Sequence, residues 1–271
     1  MQSHKRSWET DKGLLRNYLV PRFGKLHLDQ ITREAVLDLH QEQIANGAAP
    51  ASANRVVVLL RYMFNLAIQW ETPGVSDNPT RGVPLAEVNN QRERYLTEEE
   101  VQRLCKAVKE SESPLLEPII SMLLLTGARK SEVLNAKWED VALEKKRWRI
   151  PYTKSGKPRT VPLSESALEV LRSVPRVDGT EYVFPSPVTG KPFNSIYNSW
   201  NTARKKAGLE DVKIHTLRHS FASFLVNAGR NLYEVGKLLG HTQMRTIMRY
   251  SHLADETLAE AVNTVPLKKV A

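Results

Sequence analysis

Six residues in the C-terminal two thirds of the chain carry side chains suited to holding and attacking an anion. Arg129 follows Thr126-Gly127-Ala128 at the expected start of a helix. Backbone N–H groups at such a start favour an anion, and a guanidinium adds two directed hydrogen bonds. Lys154 sits in the turn Lys154-Ser155-Gly156-Lys157, an exposed and flexible place. His215 and Arg218 open a helix in the string HTLRH, His241 follows the helix-ending Gly240, and Tyr250 stands nine residues further on in RYSH. Each has a plain alternative. Arg129 and Lys154 serve equally as surface charges, His215 and His219 as capping or half-buried histidines, His241 as a C-terminal cap and Tyr250 as a packing tyrosine. The set and its order are what weigh.

These residues need elements to position them, and the pattern is mainly helical. A first helix is expected around Trp8, Leu15, Leu19 and Phe23, stopped by Pro21 and Gly24. A second carries Val36, Leu37, His40 and Ile44, and a third carries Ala53, Val57, Leu60, Phe64, Ala67 and Ile68 at helical spacing. Together they make a small bundle with an exposed basic face. The stretch from Thr72 to Arg94, with three prolines, two glycines and the run NNQRER, neither sustains a helix nor is expected to bury much. Domains are therefore expected at 1–83 and 95–271, with a linker at 84–94. Thr97 and Glu100 form a capping box that opens the second domain. A buried helix at Leu115–Leu125 ends at Gly127, and WRIPYTKSGKPRTVPL reads as a hairpin. Helices follow at Ser164–Leu171, Ser195–Ala207 and Thr216–Ala228, the last presenting Leu217, Phe221, Phe224, Leu225 and Ala228 and stopped by Gly229. A short helix capped by Asn231 and a final one at Asp255–Asn263 complete a mainly α domain with a small β-sheet.

Composition sets bounds on function. Hydrophobic residues make up 41% and charged residues 25% of 271 residues, an ordinary globular balance. Lys and Arg outnumber Asp and Glu by 39 to 30, which favours a polyanionic partner through counterion release. The single cysteine, Cys105, excludes an internal disulfide and a cysteine-rich metal site. The polar N-terminus lacks a signal-peptide core, and Leu115–Leu125 is too short to span a bilayer, so the cytoplasm is expected and no membrane partner.

The strings TGARKSEVL, TKSGKPRTVPL, HTLRHSFASFLVNAG, LLGH and RYSH resemble, in order and approximate spacing, the motif series of the tyrosine recombinase (phage-type integrase) family. Five motifs in register are a far more specific signal than one HxxR. The similarity covers about Arg94 to Leu258 and extends more weakly over the first third, which is similar to the family's helical core-DNA-binding domain. The resemblance implies a two-domain DNA clamp: a helical core-binding domain plus a tyrosine recombinase catalytic domain. It implies that Arg129 and Arg218 hold the scissile phosphate, that Lys154 protonates the departing 5′ oxygen, and that His215 accepts the Tyr250 proton. His241 would donate a hydrogen bond to the phosphate, Tyr250 would be the nucleophile, and Glu132 would support Arg129 from behind. Electrostatic donors of this kind are worth about 10²–10³-fold in rate each. A tyrosine, with a pKa of about 10 unperturbed, needs neighbouring cations to become a nucleophile.

The expected activity is cutting and rejoining DNA through a 3′-phosphotyrosyl ester, with no cofactor, ATP or metal. His215 and His219 have the i, i+4 spacing of a zinc helix, but no Glu lies between them and Arg218 would repel the cation. Arg55, Arg61, Arg92, Arg94, Lys157, Arg159, Arg204, Lys205 and Lys206 are the expected contacts to the DNA backbone. The partners implied are double-stranded DNA, a homotetramer assembled on it through the tail after Tyr250, and a DNA-bending accessory protein. Many relatives carry an N-terminal arm-binding domain; with Met1 almost against the first helix these residues leave no room for one, whether the sequence is a short recombinase or a piece of a longer integrase. Two rivals remain: relaxation of supercoils in the manner of a type IB topoisomerase, and a non-catalytic regulator using Thr216–Leu239 as a helix-turn-helix.

Overall fold

The computed structural model describes residues 8–88, 94–153, 156–240, 247, 248, 250 and 251. The chain divides into two compact units, Met1–Gln91 and Arg92–Ala271.

The first unit opens with α1 (Trp8–Leu14), a π-helical turn (Leu15–Leu19) and α2 (Val20–Phe23). Pro21 was expected to stop this helix, yet helical structure runs on to Phe23. The wider turn before it, in which the Val20 N–H donates to the Leu15 carbonyl, changes the hydrogen-bond pattern where proline has no N–H to give. Thr32 caps α3 (Arg33–Ala45) by accepting from the Ala35 N–H. Its buried face is Val36, Leu39, His40 and Gln43, and the expected Ile44 is exposed. Gln43 can take the inner position because its amide donates to the Leu39 carbonyl. In α4 (Pro50–Gln69), Val56 and Leu59 are buried beside Ala53, Val57, Leu60, Phe64 and Ala67. The stripe is wider than periodicity suggested because α4 packs against both α1 and α3.

The segment after α4 departs from expectation. Asn78, Thr80 and Val83 are buried. The Asn78 amide donates to the Arg61 carbonyl and to Asn65 Oδ1, at 3.0 and 2.7 Å, and Asn54 exchanges two hydrogen bonds with the Ala86 backbone. A stretch rich in Pro and Gly can still bury when side-chain amides replace secondary structure as partners for its backbone.

In the second unit, α5 (Glu98–Lys109) starts from the reciprocal Thr97–Glu100 capping box. Then come α6 (Leu116–Thr126), α7 (Lys130–Leu134) and a three-stranded antiparallel sheet of β1 (Val141–Ala142), β2 (Arg147–Ile150) and β3 (Arg159–Pro162). The β2–β3 register pairs Trp148 with Val161 and Ile150 with Arg159. The sequence reading placed the β2–β3 hairpin but not β1, whose two residues are too few to show alternation. Four helices follow: α8 (Glu165–Ser173), α9 (Tyr197–Lys206), α10 (Ile214–Asn227) and α11 (Leu232–Leu239). The main core gathers Leu104, Ile120, Leu123, Trp148, Val161, Leu168, Phe184 and Leu217.

α10 is buried on more than one side. Its buried residues are Thr216, Leu217, Arg218, Ser220, Ala222, Ser223 and Val226, whereas the expected Phe221, Phe224 and Leu225 are only partly buried and Ala228 is exposed. Small and polar residues fill the inner face because neighbouring backbone comes close; Ser220, for example, accepts from the Leu96 N–H and donates to the Thr216 carbonyl. The overall architecture is mainly helical with one small sheet.

Candidate active site

Two arginines from separate elements meet one carboxylate, and a third lies near enough to feel all three charges. Arg129 is the residue before α7, Arg159 opens β3, and Arg218 lies in the first half of α10. Glu132, in the first turn of α7, has a nearly buried side chain. It accepts from the Arg129 N–H at 2.9 Å, from the Arg129 guanidinium at 2.8 Å and from the Arg159 guanidinium at 2.8 Å. The backbone N–H expected to welcome an anion is thus already taken. α7 is only five residues long, so the guanidinium groups rather than a helix dipole supply the positive field.

Arg218 is buried and donates to the Gly127 and Leu239 carbonyls, both at 2.6 Å. Arg159 donates to the Leu238 carbonyl as well. Two guanidinium groups therefore sit on the C-terminal carbonyls of α11, where the helix favours a cation. Two glycines make this approach possible. Gly127 has φ +59°, and a Cβ there would lie 2.3 Å from Phe221 Cδ1. Gly240 has φ +67°, and a Cβ would lie 2.5 Å from Arg159 Cδ.

The charge balance is uneven, with three guanidinium groups around one carboxylate among the described residues. Burial first, then repulsion from Arg129 and Arg159, pushes Arg218 down to about 9 despite the opposing pull of Glu132 and Tyr250. Burial works to raise the Glu132 carboxyl, but the Arg159 charge and the hydrogen bonds from Arg129 and Arg159 outweigh it and hold the group below its ordinary value. A pocket with this excess of positive charge is stabilised by taking in an anion.

Tyr250 belongs to the same region. Its residue is 4% exposed and packs in a small cluster with Ala222, Val226, Val235 and Leu239. The phenol oxygen lies 2.7 Å from His219 Nδ1, on the helix that carries Arg218. His215 is exposed, and its ring meets His219 edge-on at 4.8 Å. His219 touches the phenol directly. The sequence reading weighed His219 only as a capping or half-buried histidine or a zinc ligand. A signal was present: His219, Ala222 and Val226 share one helical face, the face that receives Tyr250. Gly236 on α11 was also missed. A Cβ there would lie 2.2 Å from Ile247 Cδ1, so this glycine lets the segment leading to Tyr250 seat against α11.

The remaining expected residues scatter. Lys154, His241 and Arg92 lie outside the described residues, as does the tail from 252 to 271. Arg55, Lys157 and Lys205 are exposed. Arg61, expected on the open basic face, instead donates to the Thr80 hydroxyl and carbonyl, both at 3.2 Å. Arg94 bridges Glu100 and Asp211. Arg204 folds onto Asn201 and the Glu210 and Val212 carbonyls, closing the end of α9. Lys206 pairs with Glu110 at 2.6 Å. Arg159, expected on the surface, has a side chain only 10% exposed and belongs to the pocket. Among the described residues no group of three His, Cys, Asp or Glu side chains could hold a metal ion. No helix there is long and apolar enough to cross a membrane.

Comparison with known proteins identifies the family. Residues 94–257 match the phage integrase family. The shufflon-specific DNA recombinase of Escherichia coli is 30% identical over 236 residues, covering 84% of this chain and 59% of that protein. Tyrosine recombinase XerA of Pyrococcus furiosus is 30% identical over 257 residues, 92% of this chain and 86% of its own. The Tn1549 transposon integrase, solved in complex with circular intermediate DNA, shares the fold with a TM-score of 0.76 at 18% identity, over 95% of this chain and 94% of that one. The chain spans about three fifths of the length of the curated relatives it matches first. With the family match covering more than half of the sequence, and relatives at this identity along most of its length, the chain belongs to the phage integrase family of tyrosine recombinases.

Proposed function

We propose that this chain is a site-specific DNA recombinase that cuts and rejoins duplex DNA through a covalent bond to Tyr250. The observation that carries the reading is the phenol itself. It is held by His219, one residue along α10 from Arg218, beside a pocket of three arginines and one carboxylate. A phosphodiester anion fits the charge excess, and Arg129 and Arg218 stabilise the charge that builds on its non-bridging oxygens during attack. The Tyr250 oxygen bonds to phosphorus while the bond to the 5′ oxygen breaks. The phenol proton passes to His219, and Lys154 supplies a proton to the departing oxygen. The 3′-phosphotyrosyl ester keeps the bond energy, so reversal by a 5′-hydroxyl rejoins the strand without ATP or metal. His241 adds a hydrogen bond to the phosphate, as the family pattern places it.

Duplex DNA is the partner in this reading, with Arg55, Lys157 and Lys205 among the exposed cations available to its backbone. The tail after Tyr250 joins neighbouring copies in a tetramer, a DNA-bending protein assists, and the reaction takes place in the cytoplasm. The relatives compared above are recombinases and integrases, which leaves supercoil relaxation and a non-catalytic regulator without support. A nicked duplex that lets the cleaved fragment diffuse away tests the chemistry. The wild-type chain is expected to give a protease-sensitive DNA adduct, and Tyr250→Phe to bind the same duplex and give none. An adduct persisting in Tyr250→Phe, or none in wild type on its cognate site, would overturn the proposal.

A further inference from the structure

Arg159 is the least expected member of the pocket, and its position gives it work that neither Arg129 nor Arg218 does. One of its terminal nitrogens donates to Glu132 Oε2 at 2.8 Å and the other to the Leu238 carbonyl. Glu132 in turn grips Arg129 by backbone and guanidinium. Arg159 thereby fastens together three segments distant in sequence: the hairpin strand β3, which follows the Lys154 turn; α7, which sets Arg129; and the C-terminus of α11, which precedes His241. Gly240 is required next to it, since any Cβ would strike the Arg159 side chain. Its Nε–H is buried and has no acceptor among the described residues. A buried donor left in that state carries a desolvation cost, and an oxygen of a bound oxyanion would relieve it.

We propose that Arg159 is a positioning residue of the oxyanion pocket, which holds Arg129 in place through Glu132 and anchors the hairpin to the end of α11. The inference rests on the recombinase reading for its catalytic consequence, but not for the pocket itself. Lysine is a poor substitute, because a single ammonium cannot present two donors in a fixed fork to Glu132 and to the Leu238 carbonyl at once.

Two measurements test it. The first needs no DNA. Inorganic phosphate, compared with chloride at equal ionic strength, is expected to raise the thermal midpoint of the wild-type chain. The rise should fall by more than half in Arg159→Met and survive in a surface control, Lys145→Met, at an exposed lysine outside the DNA-contact set. An equal rise in Arg159→Met would overturn the proposal. The second is the rate of strand cleavage at saturating nicked duplex, where Arg159→Met is expected to lose about 10²-fold. On a duplex whose scissile phosphate is replaced by a neutral methylphosphonate, the gap between variant and wild type should shrink to less than about tenfold, because little anionic charge remains for the arginines to meet. The same gap on both substrates would mean a general packing defect and would sink the idea. Arg159→Lys keeps the buried charge and serves both assays if the methionine variant does not fold. Should wild type cut neither substrate, the recombinase reading fails, while the phosphate measurement still decides the role of Arg159.

Discussion

Both units tie down arginine side chains, and they do so to opposite ends. In the first, Arg61 reaches across from α4 to the Thr80 hydroxyl and carbonyl, and Asn78 completes the network with Asn65 and the Arg61 carbonyl. Neutral groups share out one positive charge, and the result is a loop lashed to a helix. In the second, Arg129, Arg159 and Arg218 crowd around Glu132. The same kinds of hydrogen bond hold them in place, but positive charge remains over. Hydrogen bonding explains why each arginine stays where it is, and the charge balance separates a structural arginine from one kept ready for an anion.

The largest expected effect that would break this contrast lies in the pocket. Arg218→Gln removes a charge but keeps an amide for one carbonyl, and cleavage at saturating DNA should fall about 10²–10³-fold. A loss below tenfold would place Arg218 with Arg61 among the structural arginines. Next comes the neutral network. Asn78→Ala strands the Thr80 N–H and the Asn65 side chain, and should destabilise the first unit by about 1–3 kcal/mol in denaturant unfolding. Cleavage per folded molecule is expected to stay at the wild-type rate; a matching drop there would erase the distinction between the two regions.

The smallest effect sharpens the comparison by pH. Glu132 has a folded pKa held below its ordinary value of 4.5, so its contribution to stability is complete above about pH 4.5 and drains away as pH falls through the depressed value. The stability advantage of wild type over Glu132→Gln should therefore be constant at neutral pH and shrink in acid. An advantage that grows on acidification would contradict the charge balance drawn here. Asn78 has no such titration, and Asn78→Ala should differ from wild type by a constant amount over the same range.

Much of the second unit was legible because its signals are local. Thr97 and Glu100 cap α5 within four residues, Gly127 ends α6 by adopting a positive φ, and the β2–β3 hairpin announces itself by two short runs about a turn. Arg129, Arg218 and Tyr250 stood out through the motifs around them. In α10 Leu217 faces inward as expected, but Phe221, Phe224 and Leu225 are only partly buried, since a helix packed on several sides does not show a single apolar stripe. The burial of Asn78 and Thr80 was likewise hidden, because amide side chains, not periodicity, satisfy that loop.

The amino-acid order by itself determined the helical character, the capping residues, the family motifs and the type of chemistry, all of which depend on neighbours a few positions apart. Only the tertiary structure decided that His219 meets the phenol, and that Arg159 turns inward while Arg55 stays in solvent. It also decided that Gly236 makes room for Ile247. Those outcomes depend on which segments come close in space, 11 positions apart for Gly236 and Ile247 and 79 for Arg159 and the Leu238 carbonyl. Long-range proximity of that kind leaves no period in the chain, because it is settled by packing rather than by the local repeat of helix or strand.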